Sequence, residues 1–274
     1  MNLRRALFVL PNLFTLSSIF CGFEAIRRLS EAAPPAVQPQ PYYQAALLLV
    51  FAMFFDTIDG RVARLTRTQS AFGVQIDSLA DVVSFGVAPS ILLYRWALAD
   101  LGTWGSFISF VFLACGAIRL ARFNVLATNP KGAPTKPGKY IVGLPIPGAA
   151  GVILALIIAN HSVHGNLFAK KGLMAAVAIG LSVLMVSTVK FRSFKDLRLN
   201  VRTAVSLSLG LGSTAVIAAK FGPAFALPYV LAVYIGIAVI ESIVTFPKRR
   251  AERRAERLRA QSEGESPSEP SNEQ

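Results

Sequence analysis

Four aspartates in one short stretch are the part of this sequence most suited to chemistry. The chain has six aspartates, and four of them are Asp56, Asp59, Asp77 and Asp81. The first two are three positions apart and the last two are four apart, so each pair shares one face of a helix. Apolar runs flank the stretch, and a carboxylate at the centre of a membrane helix costs roughly 2.5–3.5 kcal/mol. A cluster of this kind needs a compensating cation, and one or two Mg²⁺ or Mn²⁺ ions suit its oxygen ligands.

The composition places these aspartates in a membrane protein. Hydrophobic residues make up 53% of the 274 residues and charged residues 16%, with a mean hydropathy of +0.52. The net charge of +13 comes from basic residues that lie between apolar runs. Their distribution favours an anionic membrane surface and phosphate-bearing substrates, and it argues against a nucleic-acid partner. Cys21 and Cys115 lie in apolar segments and predict neither a disulfide framework nor a metal site.

Eight apolar segments predict an all-α integral membrane protein with about eight transmembrane helices. Each segment is close to the ~20 residues that cross the hydrocarbon core. The segments are 6–27, 42–63, 72–95, 103–124, 141–160, 172–190, 203–220 and 223–246. We therefore expect a polytopic catalytic domain over 1–247, followed over 248–274 by a basic cytoplasmic helix and a disordered acidic tail.

The basic residues predict which side of the membrane the aspartates face. With eight spans and both termini in the cytoplasm, 22 Lys and Arg residues lie on the cytoplasmic side and six on the other. This distribution follows the positive-inside rule and places the aspartates at the cytoplasmic face. The six residues on the other side are Arg27, Arg28, Arg95, Lys170, Lys171 and Lys220.

The spacing of the aspartates and their neighbours resembles the signature of the CDP-alcohol phosphotransferase family. The pattern D-x2-D-G-x2-A-R-x8-G-x3-D-x3-D is matched at every fixed position by Asp56, Asp59, Gly60, Ala63, Arg64, Gly73, Asp77 and Asp81. The resemblance covers a core of about residues 6–190 most clearly. It implies a reaction in which an alcohol attacks the β-phosphorus of a CDP-linked lipid and CMP leaves. It also implies a multi-pass protein of the bacterial inner membrane and is compatible with a homodimer.

The resemblance also implies roles for the residues of the signature. Asp56, Asp59 and Asp77 would bind metal, while Asp81 would be the general base and would also touch a second metal ion. Gly60, Ala63 and Gly73 have little or no side chain, so a nucleotide diphosphate could approach the backbone closely. Arg64 could place a fixed cation on a phosphate. The alternative interpretation is a set of helix-end aspartates neutralised by neighbouring arginines.

Sequence downstream of the signature resembles the branch of the family that uses serine as the acceptor. The stretches are Cys115–Asn124, Gly143–Gly148 and Lys190–Lys195, and Pro11–Thr15 is shared across the wider family. The expected CDP-lipid-binding residues therefore also include Asn12 and Thr15. The expected acceptor-binding residues are Arg119, Arg122 and Asn124.

The two arginines of the acceptor group share a helix face, and their guanidinium groups could together hold a carboxylate or a phosphate. The alternative for each is that its side chain extends to the interface at a helix end. The implied substrates are CDP-diacylglycerol and L-serine within membrane lipid.

Two other functions fit part of the sequence. The first is the same reaction with glycerol 3-phosphate or an inositol compound as the acceptor. The second is a cation transporter whose aspartates form the ion site. A transporter favours carboxylates near the bilayer midplane in two repeated halves, whereas these aspartates lie near one end of their helices.

Overall fold

The computed structural model describes residues 3–66, 68, 70–127, 140–163, 170–192 and 201–242, and these residues are predominantly helical. The helices are α1 (Leu3–Glu31), α2 (Gln40–Leu65), α3 (Ala71–Leu101), α4 (Thr103–Ala127), α5 (Ile146–Ser162), α6 (Lys171–Val186), α7 (Val201–Phe221) and α8 (Pro223–Ser242). Two short strands are also present, β1 (Tyr140–Val142) and β2 (Lys190–Arg192). The predicted tail, 248–274, lies outside the described residues.

The apolar segments predicted from the sequence each overlap one of these helices. By length and composition, α3, α4 and α8 can cross a membrane, whereas α5, α6 and the 208–221 part of α7 are shorter apolar helices. The protein is therefore a helical, multi-pass membrane protein. The count of eight spans and the cytoplasmic position of both termini remain predictions.

Small buried residues allow α1 and α2 to pack closely side by side. Ala25 of α1 and Ala45, Ala46 and Ala52 of α2 are fully buried. Close approach of helix backbones through small side chains is typical of membrane proteins, because lipid tails give no hydrophobic drive for helix association. Large apolar side chains such as Phe51 instead point outward and are exposed, as expected of a surface that faces lipid. This packing fixes the ends of α1 and α2, where several site residues lie.

Helix α3 departs from regular α-helical geometry directly after the last aspartate of the signature. Residues Val82–Val87 form a π-helical segment. Within it, the Ser84 hydroxyl donates to the carbonyl of Ser18 at 3.0 Å. A Cβ added to Gly22 would lie 3.2 Å from the Ser84 Cα, so α1 and α3 approach closely here. The π-helical segment is therefore anchored to α1 just beyond Asp81.

The short strands form an antiparallel ribbon that the all-α expectation missed. Val142 pairs with Lys190, and the ribbon brings the chain before α5 beside the chain after α6. Gly143 follows with a φ of +77°, and its N–H donates to the Val189 carbonyl at 2.8 Å. Helix α5 therefore begins at Ile146, later than the predicted start at 141, because residues 140–142 belong to the ribbon.

Candidate functional site

A short helical hairpin brings three of the signature aspartates together. Asp56 and Asp59 lie in the last turns of α2, and Asp77 lies in the second turn of α3. One carboxylate oxygen from each lies within 4.8 Å of the other two. The Ser70 hydroxyl accepts a hydrogen bond from the Gly73 N–H at 3.0 Å and caps the start of α3. The cap defines where α3 begins and so fixes the turn that carries Asp77.

Asp59 is held in place by a residue of α1. The Thr15 hydroxyl donates to Asp59 Oδ2 at 2.6 Å, and both residues are only 4% exposed. A short hydrogen bond to a buried carboxylate fixes the orientation of that carboxylate. Asn12 lies on the same helix near Gly73, since a Cβ added to Gly73 would be 3.8 Å from Asn12 Oδ1. Thr15 thus contacts the aspartate cluster directly, and its expected contact with the lipid remains a prediction.

Asp81 lies one turn beyond Asp77 on α3, outside the three aspartates whose oxygens converge, and it interacts electrostatically with Arg119 of α4. Its Oδ1 atom is buried and has no hydrogen-bond partner among the described residues. The charged groups that act on it are Asp56, Asp77 and Arg119. A buried carboxylate oxygen without a donor is costly, so this atom is suited to bind a group supplied from outside the chain.

Arg119 presents a matching unsatisfied donor. Its side chain is 6% exposed, and its Nε has no hydrogen-bond partner within the described ranges. The guanidinium lies over the ring of Phe123, 5.2 Å from the ring centroid. This stacking orients the guanidinium but leaves its Nε–H without an acceptor. Arg119 therefore supplies a buried cation, and the half-buried Asp81 supplies a buried carboxylate oxygen, each with unused hydrogen-bonding capacity among the described residues.

Arg122 has a different environment from Arg119. Its guanidinium donates to the carbonyl oxygens of Val186 at 2.8 Å, Ser187 at 3.2 Å, Met185 at 3.3 Å and Val142 at 3.4 Å. These bonds satisfy carbonyls at the C-terminal end of α6 and tie them to β1 and α4. Arg122 therefore links α4 to the end of α6 and to β1, and its expected role in acceptor binding remains a prediction.

The other predicted site residues lie around the same hairpin. Asn124 Nδ2 donates to the Ser78 hydroxyl at 2.8 Å and joins α4 to α3 beside Asp77. Arg64 is exposed, and its guanidinium lies 3.4 Å from a Cβ added to Gly60. None of the ion pairs between described residues joins a signature aspartate to an arginine. Within the described part of the chain, these aspartates therefore have no direct ion pair with an arginine.

The carboxylate cluster fits a divalent cation. Three carboxylate oxygens from two helices converge, those of Asp56, Asp59 and Asp77. Hard cations such as Mg²⁺ and Mn²⁺ take oxygen ligands of this kind and keep coordination positions for substrate phosphates. The donor set is therefore one that could hold a divalent metal ion.

Comparison with known sequences identifies the protein family to which this helical membrane fold and its carboxylate cluster belong. The chain belongs to the CDP-alcohol phosphatidyltransferase family, whose sequence model matches residues 8–190. It is 39% identical over 199 residues to the CDP-diacylglycerol–serine O-phosphatidyltransferase of Helicobacter pylori, covering 72% of this chain and 77% of that protein. The Bacillus subtilis protein of the same name is 33% identical over 186 residues, 68% of this chain and 91% of the relative. That of Mycobacterium tuberculosis is 31% identical over 225 residues, 81% and 72% of the two chains.

Proposed function

We propose that this protein transfers the phosphatidyl group of CDP-diacylglycerol to L-serine, giving phosphatidylserine and CMP. The relatives named for this reaction support the assignment. The observation that carries it is that Arg119 and Asp81 interact electrostatically, and that each has a buried polar atom with no hydrogen-bond partner among the described residues. Serine offers a carboxylate to the arginine and a hydroxyl proton to the aspartate, so one small molecule satisfies both groups.

The aspartates of the hairpin would bind the diphosphate of the CDP-lipid through metal. Asp56, Asp59 and Asp77 would hold Mg²⁺ or Mn²⁺, which when bound supplies positive charge that offsets the charge of the diphosphate. Thr15 keeps the Asp59 carboxylate turned toward the cluster through its 2.6 Å hydrogen bond. The missing side chain of Gly60 leaves the backbone open beside the exposed Arg64, which can contact a phosphate oxygen.

The transfer step then needs an attacking hydroxyl and a proton acceptor. The serine hydroxyl oxygen forms a bond to the β-phosphorus, and the bond from that phosphorus to the bridging diphosphate oxygen breaks. CMP leaves with the electron pair of that bond. Asp81 accepts the hydroxyl proton as the new bond forms. Arg119 holds the serine carboxylate and so orients the hydroxyl toward the phosphorus.

The location of the reaction follows from the solubility of its reactants. Serine and CMP are water-soluble, whereas the lipid product stays in the bilayer. The aspartates lie near one end of their helices, where both phases meet, and the distribution of basic residues favours the cytoplasmic face. We therefore place the reaction at the cytoplasmic surface of a bacterial inner membrane.

A competition experiment tests the choice of acceptor. Purified protein would be given CDP-diacylglycerol with serine, glycerol 3-phosphate and inositol phosphate at equal concentrations, and the lipid products would be identified by mass spectrometry. Phosphatidylserine is the expected main product. A main product that carries glycerol phosphate or inositol phosphate would show that the acceptor assignment is wrong.

A further inference from the structure

A cavity of about 1300 Å³ lies at the end of the helix bundle opposite the aspartates. It is open to one side and is lined by the 32–39 connection, the start of α2 and α6, and the ends of α3 and α5. Tyr42 lines the cavity and precedes Asp59 by 17 positions on α2. That separation corresponds to about 25 Å along the helix axis. The cavity is thus separate from the CDP-lipid site.

The side chains that line this cavity carry an excess of positive charge. Arg95, Lys170 and Lys171 line it, with Asp100 as the one carboxylate among the lining residues. These three are half of the six basic residues that the predicted topology assigns to this end of the protein. Basic residues are scarce on this side of membrane proteins. Their concentration around one cavity therefore points to an anionic ligand.

The other three basic residues at this end have different environments. Arg27 and Arg28 form ion pairs with Glu24, at 2.7 and 2.9 Å. Lys220 is exposed on α7 and is not among the residues that line the cavity. In contrast to Arg27 and Arg28, no ion pair between described residues engages the three cationic side chains of the cavity. Their charge is available to a ligand.

The remaining lining residues hold the cavity in shape and suit the membrane interface. Arg95 donates to the carbonyl of Ala32, which fixes its guanidinium at the cavity wall. The Tyr42 hydroxyl donates to the carbonyl of Ala33 at 2.9 Å and so holds the 32–39 connection against α2. Tyr94 and Trp96 also line the cavity. Both lie near the end of α3, a helix long enough to cross a membrane, so the cavity lies near headgroup depth.

We propose that this cavity binds a phosphate-bearing anion at the membrane surface opposite the aspartates. Arginine and lysine together suit a phosphate group, because one supplies a planar pair of donors and the other a point charge. Two sources supply such an anion, a phospholipid headgroup and free inorganic phosphate. Because the lining comes from α3 and α6 as well as the 32–39 connection, the bound anion links these elements and stabilises the fold.

The test measures ligand binding by full-length, delipidated protein in detergent. Phosphatidylglycerol or inorganic phosphate would be added, and bound lipid would be followed by native mass spectrometry and thermal unfolding. The variant is Lys170→Gln combined with Lys171→Gln, since both lysines are exposed and their replacement leaves the packing intact. Lys220→Gln is the matched control, and Arg95→Gln tests the third cation.

The expected result is that phosphatidylglycerol binds to the wild type and to Lys220→Gln and raises their Tm. The double lysine variant should bind it about tenfold more weakly or worse, because each cation near the surface contributes to headgroup attraction. A Tm increase with inorganic phosphate alone, lost in the same variant, would identify the free anion as the ligand. The proposal would be overturned if wild type, double variant and control bound phosphatidylglycerol equally well and also bound inorganic phosphate equally well.

Discussion

The hydrogen bond from Thr15 to Asp59 gives a sharp test of how the metal site is organised. Replacing Thr15 with Val keeps the shape of the side chain but removes the hydroxyl that donates to Asp59 Oδ2 at 2.6 Å. Because both residues are 4% exposed, water cannot readily take the place of that hydroxyl. The Asp59 carboxylate then loses the contact that fixes its orientation.

Two independent estimates of how far Thr15→Val weakens metal binding agree. A hydrogen bond to a charged group contributes roughly 1.5–3 kcal/mol, which corresponds to about a 10- to 160-fold change in an equilibrium constant. Loss of a residue that orients a metal ligand lowers metal affinity or activity by about 10–100-fold. We therefore expect Thr15→Val to weaken Mn²⁺ binding by about 10–100-fold, whereas Thr15→Ser, which keeps the hydroxyl, should bind Mn²⁺ nearly as wild type.

Calorimetric titration of Mn²⁺ into the purified protein measures this change without relying on activity. Thr57→Val is the matched control, since Thr57 is exposed and its hydroxyl donates to the carbonyl of Met53 in its own helix, at 2.8 Å. The control should bind Mn²⁺ like the wild type. The reasoning is refuted if Thr15→Val binds Mn²⁺ as tightly as Thr57→Val does.

Four further predictions follow from the same site. In an assay of CMP release, Asp56→Asn should abolish turnover because it removes a charged ligand from the cluster, while membrane insertion stays intact. EDTA should abolish the activity of the wild type in the same assay. Asp81→Asn should keep most of the affinity for CDP-diacylglycerol but slow the single-turnover rate by roughly 10²–10⁴-fold, the usual contribution of a positioned general base. Arg119→Lys should raise the KM for serine far more than that for CDP-diacylglycerol, whereas Arg122→Lys should mainly lower the Tm, because Arg122 bonds to carbonyls of α6 and β1. Gly143→Ala should lower the unfolding free energy by at least about 1–2 kcal/mol in denaturation, because φ is +77° and the new Cβ would lie 2.4 Å from the Met185 carbonyl oxygen.

Each of these predictions has an outcome that contradicts it. Full activity of the wild type in EDTA would show that the reaction does not depend on a metal ion. An Asp81→Asn protein that loses lipid binding as completely as Asp56→Asn would make Asp81 primarily a metal ligand. Equal increases in both KM values for Arg119→Lys would mean that Arg119 binds phosphate or only packs. For Gly143, the control is Gly180→Ala, where nothing lies within 4 Å of the added Cβ, and equal stability of the two variants would contradict the argument.

The convergence of the aspartates could be predicted from the sequence because it depends on local spacing. Asp56 and Asp59 share a face of α2, and a short turn joins α2 to α3. These features place Asp77 opposite the first two, and the structure brings oxygens of all three within 4.8 Å of one another. The lengths of the apolar runs similarly predicted where the helices lie. A helix in lipid satisfies its own backbone hydrogen bonds, so its sequence can be recognised as a long apolar run.

Contacts between distant parts of the chain could not be predicted in the same way. The ribbon consists of two strands of three residues each, too short to produce an alternating pattern. Arg122 was expected beside Arg119 because the two share a helix face, yet its partners lie in chain segments that only the fold brings near, such as Val142 and Val186. The hydrogen bond of Thr15 to Asp59 joins residues 44 positions apart, and no local pattern predicts it.

The stoichiometry of the products tests the central claim most directly. Metal-free protein would be given CDP-diacylglycerol and labelled serine, Mg²⁺ or Mn²⁺ would be titrated back, and CMP and phosphatidylserine would be measured together. The account predicts one phosphatidylserine for each CMP, with both products dependent on the metal and on serine. CMP released at the same rate without serine, or without any lipid product that contains serine, would contradict it.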